Sequence, residues 1–194
     1  MTQETKKGLP IVPFASQDEW ERWLEEHHAT SDGLWLKIAK KNAGVNSVTY
    51  DEALDVALCY GWIDSQGGAY DDNFYLQRFT PRRSRSKWSM KNCKRVAELI
   101  EQGKMREAGL QEVELARQDG RWDHAYEGQS SMTVPPDFHQ KLEENPAARD
   151  FFATLNRTNR YAILYRIQDA RKPETRLRRI EKFVTMLNER KKLY

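Results

Sequence analysis

TYDEALDVALCYGWIDSQGGAYDDNFYLQRFTP, Thr49 to Pro81, changes its hydrophobic period halfway along. Thr49 and Glu52 stand at the spacing at which a hydroxyl and a carboxylate cap each other across the first turn of a helix. Ala53, Leu54, Val56, Ala57, Leu58 and Tyr60 then leave almost no polar face, the pattern of a helix buried all round. Gly61 supplies the left-handed residue that stops such a helix cheaply. Beyond it, WIDSQ and FYLQRFT flank the turn-forming GGAYDDN, and Pro81, which cannot donate to a ladder, ends the second run. A buried helix over 50–60 feeding a hairpin over 62–80 predicts an α+β fold.

The flanks extend this reading. Upstream, Ser16 and Glu19 mark another helix start, with Trp20, Trp23, Leu24 and His27 on one face. Asp32-Gly33 makes a turn, after which Leu34, Leu36 and Ile38 alternate with Trp35, Lys37 and Ala39 as in a half-buried strand. The expected sheet is small and antiparallel, built from 34–40, 62–66 and 74–80 and covered by helices. Downstream, Met90, Cys93, Val96, Ala97 and Ile100 form a helical stripe closed by Gly103, and a helix over 106–118 stops at Asp119-Gly120. EGQSSMTVPP has the composition of a linker. After it the pattern is helical throughout: 136–144, a start at Asn145-Pro146, a run from Thr158, and a last helix from Pro173 whose Ile180, Phe183, Val184 and Leu187 recur at i, i+3, i+4, i+7. The expected organisation is an α+β domain over 1–126 carrying the hairpin and a basic loop, a linker over 127–136, and a C-terminal helical subdomain over 137–194.

A chain of 194 residues with six Trp, eight Tyr and seven Phe can bury a sizeable core without staples. Its mean hydropathy of −0.87, with these aromatics, fits a charge-rich soluble globular protein rather than a disordered one, and no apolar run reaches the roughly 18 residues of a membrane span. Cys59 and Cys93 form no disulfide framework or metal cluster, and the opening MTQETKKGLP has no apolar leader core, so a reducing cytoplasm is the expected setting. His27, His28, His124 and His139 show no ligand spacing, and neither a bound metal nor a cofactor is expected. The net charge of +3 is mild, so anion binding depends on where the charges lie.

They lie above all in QRFTPRRSRSKWSMKN, Gln77 to Asn92, which holds six Lys or Arg and no acid. Taken with ALCYGWIDSQ before it, GKMREAGL and DGRWDHAY after it, and the ending RKPETRLRRIEKFV, this stretch resembles the YdeI/OmpD-associated family. The resemblance falls on Gly61, Trp62, Ile63 and Asp64, on Arg78, Pro81, Arg82, Ser86, Trp88, Ser89 and Asn92, and on Thr175, Arg176, Arg179 and Ile180. Ser65 departs from it, standing where a glycine often follows the aspartate. What the resemblance implies is a bacterial cytoplasmic protein labelled by bacteriocin protection or porin association, with no established reaction or cofactor.

The residues themselves suggest an anion site. Ser86 or Ser89 at the start of the helix carrying Cys93 would place free amides and a partial positive charge beside Arg82, Arg83 and Lys87, with Arg78 arriving from the hairpin and Trp88 and Asn92 flanking. One phosphate enclosed there is the favoured arrangement, because Pro81 fixes the strand exit and two serines precede the helix. A nucleic-acid backbone along the same cations is the other anionic ligand to weigh. The bland reading makes the run a solvated face, pairs Asp64 with Arg78 across the hairpin and uses Trp88 as filling. Cys93, on the apolar stripe, reads as an inert thiol. The expected function is therefore noncatalytic binding of a phosphorylated small molecule or a nucleic-acid backbone. The alternatives are an enzyme using Asp64 as acid or base on a small anionic substrate, and a scaffold that docks a protein partner in envelope stress or bacteriocin protection.

Overall fold

The computed structural model describes residues 4–194. Among these, five strands and eight helices follow in the order β1 (Thr5–Lys6), β2 (Leu9–Pro13), α1 (Gln17–His27), β3 (Leu34–Ala39), α2 (Tyr50–Cys59), β4 (Trp62–Ala69), β5 (Phe74–Pro81), α3 (Met90–Glu101), α4 (Glu107–Gln118), α5 (Pro136–Glu143), α6 (Pro146–Thr154), α7 (Arg157–Gln168) and α8 (Pro173–Asn188). The α+β class is as expected, and so is the helix-to-hairpin passage at its centre. Thr49 and Glu52 close both halves of the capping box on α2. Gly61 takes φ +73° at the exit, where a side chain would be strained.

The sheet is larger than expected and is mixed rather than antiparallel. Its order is β1-β2-β3-β5-β4, and β2 runs parallel to β3 while the other pairs are antiparallel. β1 and β2 join through Lys7 and Gly8, both at positive φ, the backbone of a tight two-residue hairpin.

The two sheet faces differ. Trp62, Phe79, Leu34, Leu36 and Ile38 lie beneath α1 and α2, where Trp20 packs 5.7 Å from Phe79 and 6.2 Å from Trp62. Both of these indole N–H groups find an acceptor, Trp20 on the Ala53 carbonyl and Trp62 on that of His28. The other face carries a smaller cluster of Ile11, Trp35 and Leu76, with Lys6 over the Trp35 ring and Lys37 over those of Tyr70 and Phe74. α4 approaches the end of α2 through Gly109, where a Cβ would meet the Cys59 carbonyl oxygen at 2.2 Å.

The chain divides into two compact units. One contains the described residues through Trp88 together with Asn92–His124; the other contains Ser89–Lys91 and Ala125–Tyr194. Ser89–Lys91 fall in the second because Ser89 bridges to Tyr126 and the Met90 amide donates to the Tyr126 carbonyl. That unit packs α5–α8 around Phe138, Phe152, Ile163, Ile167, Ile180, Phe183 and Leu187. Arg176 of α8 grips Asp137 of α5 with two hydrogen bonds, 2.5 and 2.8 Å. No helix among the described residues is long and apolar enough to cross a membrane.

Candidate anion-binding loop

β5 leaves the sheet at Pro81, and the Arg82 amide at once donates to the Gly61 carbonyl, 3.0 Å away. This folds the strand exit against the α2–β4 junction. The Arg82 side chain turns inward. It is 7 % exposed, its guanidinium carbon stands 3.5 Å from the Trp88 ring centroid, and it donates to the Lys87 carbonyl. A guanidinium is planar and more weakly hydrated than an ammonium, so it is buried against an indole at less cost. Trp88, 1 % exposed, packs in turn on Trp122 at 4.9 Å.

A second buried arginine closes the loop from the far side. Arg121 is held by Asp119 at 2.6 Å and donates to the Ser86 carbonyl at 3.0 Å. The turn between these two clamps is fastened by Ser86, whose Oγ accepts from the Arg83 amide while its own amide donates to the Arg83 carbonyl. What protrudes is Arg83, Ser84 and Arg85, all exposed. Among the described residues neither Arg83 nor Arg85 has a side-chain partner. Lys87 is exposed as well.

Of the two serines expected at the helix start, Ser89 stands directly before α3, which begins at Met90, and the Met90 amide donates to the Tyr126 carbonyl. Ser86 instead closes the turn ahead of it, and Arg82 packs on Trp88. Asp64 and Arg78 do not pair. Asp64 lies opposite Phe79 in the ladder and Arg78 opposite Trp35, and because neighbouring residues of a strand point to opposite faces, the two sit on opposite sides of the sheet. Asp64 accepts instead from the Tyr50 hydroxyl at 2.9 Å and from Gln77 at 3.4 Å. Burial, with the Asp64 charge added, holds the Tyr50 phenol well above its ordinary range. Arg78 keeps a buried Nε without a hydrogen-bond partner.

Asn92 is buried in the first turn of α3. Cys93, one residue on, is half-buried, and burial pushes its thiol up to about 11 despite the nearby Arg82; Cys59 is pushed up equally by burial. Neither has the depressed pKa of a nucleophilic cysteine. Among the described residues no group of His, Cys, Asp or Glu is placed to hold a metal ion. Arg121 and Trp122 entered the sequence reading only within DGRWDHAY, one of the stretches that carry the family resemblance; their place beside the loop was not legible because they lie some thirty residues beyond it.

A family model described as a domain of unknown function (DUF8412) matches residues 12–112, which include the whole loop and the GWID strand. A second, described as Bacteriocin-protection, YdeI or OmpD-Associated, matches residues 131–190. No curated protein and no solved structure matches the chain. The stretch RKPETRLRRIEKFV lies in the second match, and the motifs at Gly61–Asp64 and Arg78–Asn92 lie in the first. The chain thus belongs to the DUF8412 family over residues 12–112, and its C-terminal segment is of the YdeI/OmpD-associated family.

Proposed function

We propose that the protein is a noncatalytic, cytoplasmic binder of nucleic-acid backbone, which it meets with the loop between Pro81 and Met90. The observation that carries this reading is the split between clamped and displayed cations. Arg82 and Arg121 are buried and fixed by an indole, an aspartate and two carbonyls, whereas Arg83 and Arg85 are exposed and have no side-chain partner among the described residues, on a turn that Ser86 closes. Cations left unneutralised on a fixed support favour an anion extended along the surface, because several phosphates can then be met at once and their counterions released. A single enclosed phosphate would need converging donors, and Ser86 and the Met90 amide are already engaged by the protein.

The test is a titration of a fluorescent single-stranded oligonucleotide against the full chain at low salt, alongside inorganic phosphate and a set of sugar phosphates. The oligonucleotide is expected to bind with a Kd of about 1–100 μM, in the range of sequence-independent contacts, and the single phosphates much more weakly. Saturable binding of a single phosphate in the absence of oligonucleotide binding would return the enclosed site to favour.

A further inference from the structure

The C-terminal unit holds a cavity of about 400 Å³ between the segment over 129–134, the end of α6 and the first half of α7. Its floor is apolar. Met132 and Val134 of the segment meet Leu155 and Leu164, and all four belong to the core of the unit or pack against it. The segment is tied down at its start: the Ser131 and Met132 amides both donate to the Gly128 carbonyl, at 3.2 and 3.0 Å, and the Tyr161 hydroxyl reaches the Glu127 carbonyl at 3.5 Å. Two arginines line the cavity beside this floor, Arg157 in the first turn of α7 and Arg160 one turn later. Arg157 is exposed, and the guanidinium carbon of Arg160 lies 4.8 Å from the Phe152 ring centroid. Among the described residues neither arginine makes a side-chain hydrogen bond or ion pair, and among them no Asp or Glu lines the cavity.

The lining decides what fits. Cations near the positive end of a helix are disfavoured, and α7 has no acid in its first turn to offset them, so the two arginines do not serve the helix. Nor is the helix start itself the site, because the Asn156 side chain accepts from the Asn159 amide and caps it. A bare inorganic anion would leave the apolar floor wet, and a neutral apolar molecule would leave both guanidiniums unanswered. A molecule with an acidic head on an apolar body meets both. We propose that this cavity binds a small organic acid, a carboxylate or phosphate monoester on an apolar body of about six to eight carbons. Its head faces Arg157 and Arg160, and its body lies on Met132, Val134, Leu155 and Leu164. This inference does not depend on the nucleic-acid reading, since none of its residues belongs to the loop after β5.

The test is titration calorimetry on the full chain with octanoate and octyl phosphate, each below its micelle-forming concentration, beside octanol, acetate and inorganic phosphate. At least one of the two octyl anions is expected to bind at a single site per chain, and the tighter of them identifies the head. Octanol, which lacks the charge, and acetate and phosphate, which lack the body, are each expected to bind at least about tenfold more weakly. Arg157→Ala with Arg160→Ala should weaken binding at least about tenfold, while Arg83→Ala with Arg85→Ala should leave it unchanged. Because Arg160 packs on Phe152, Arg157→Glu at the exposed position provides a second variant, expected to lose binding with the melting temperature unaltered. Four results would overturn the proposal: neither octyl anion binds, octanol binds as well as the anions, the Arg157 variants bind as wild type does, or the loop variant loses binding equally.

Discussion

Two stretches of this chain are crowded with arginine, and they handle it differently. In α8 the arginines that turn toward the protein meet acids and carbonyls: Arg176 chelates Asp137, and Arg179 donates to the Arg166 carbonyl and lies 3.6 Å from Asp169. In the loop after β5 the inward Arg82 meets the face of Trp88 and a carbonyl. The outward residues also differ. Arg178 and Lys182 share their helix with Glu174 and Glu181, while Arg83 and Arg85 share a segment that contains no acid. The density of charge in the two sequences is similar, so density alone does not identify a binding surface. What separates them is whether the fold supplies the countercharge.

The comparison breaks most visibly at Trp88. If that indole is the floor on which the loop stands, Trp88→Ala removes a fully buried ring and should cost about 3–5 kcal/mol in urea denaturation; a loss below about 1 kcal/mol would mean the loop is not built on it. Arg82→Ala comes next, at about 1–3 kcal/mol, because a buried stack and a hydrogen bond are lost together. Its neighbour provides the contrast, since Arg83→Ala should stay within about 0.5 kcal/mol. Equal costs for the two would erase the division into clamp and display.

Arg176→Ala sharpens the α8 side, at no more than about 1 kcal/mol near neutral pH, because both partners are partly exposed and solvent screens the pair. Its pH dependence has a definite sign. The Arg176 guanidinium holds the Asp137 carboxyl below its ordinary value, so the pair's contribution is complete above the carboxyl's unfolded pKa near 3.8 and is lost as pH falls through the lower folded value. The gap between wild type and variant should therefore be constant from pH 8 to about 5 and close on further acidification. The smallest effect concerns Cys93. With its thiol raised to about 11, labelling by a thiol reagent at pH 8 should run at least tenfold slower than for free cysteine, and rapid labelling would restore the case for a reactive thiol.

What the sequence disclosed follows the strength of local signals. α2 and the hairpin were legible because a capping box, an unbroken apolar run, a glycine stop and a turn cluster all agree. β1 and β2 were not, because Pro10 and Pro13 punctuate a run too short to show alternation, and because a parallel partnership with β3 leaves no mark in either strand. The opposed placement of Asp64 and Arg78 was readable in principle: Asp64 is two residues from the buried Trp62, and Arg78 adjoins the buried Phe79, so strand parity already sends them to different faces. The burial of Arg82 was not readable. A run of cations looks solvated throughout, and Arg82 turns in because the indole six residues later and the Lys87 carbonyl receive it.

The most direct test of the account removes two exposed charges from each arginine-rich stretch and reads the salt dependence of oligonucleotide binding. The logarithm of affinity should fall with log salt by about 0.7 for each phosphate contact to a single strand. For Arg83→Ala with Arg85→Ala the slope is expected to drop by about 1.4 from the wild-type value. For Arg178→Ala with Lys182→Ala, which removes the same charge from α8, the slope is expected to stay as it is in the wild type. Equal reductions in both variants would show that the protein binds through its overall charge, and an unchanged slope in the loop variant would show that the loop does not touch the phosphates.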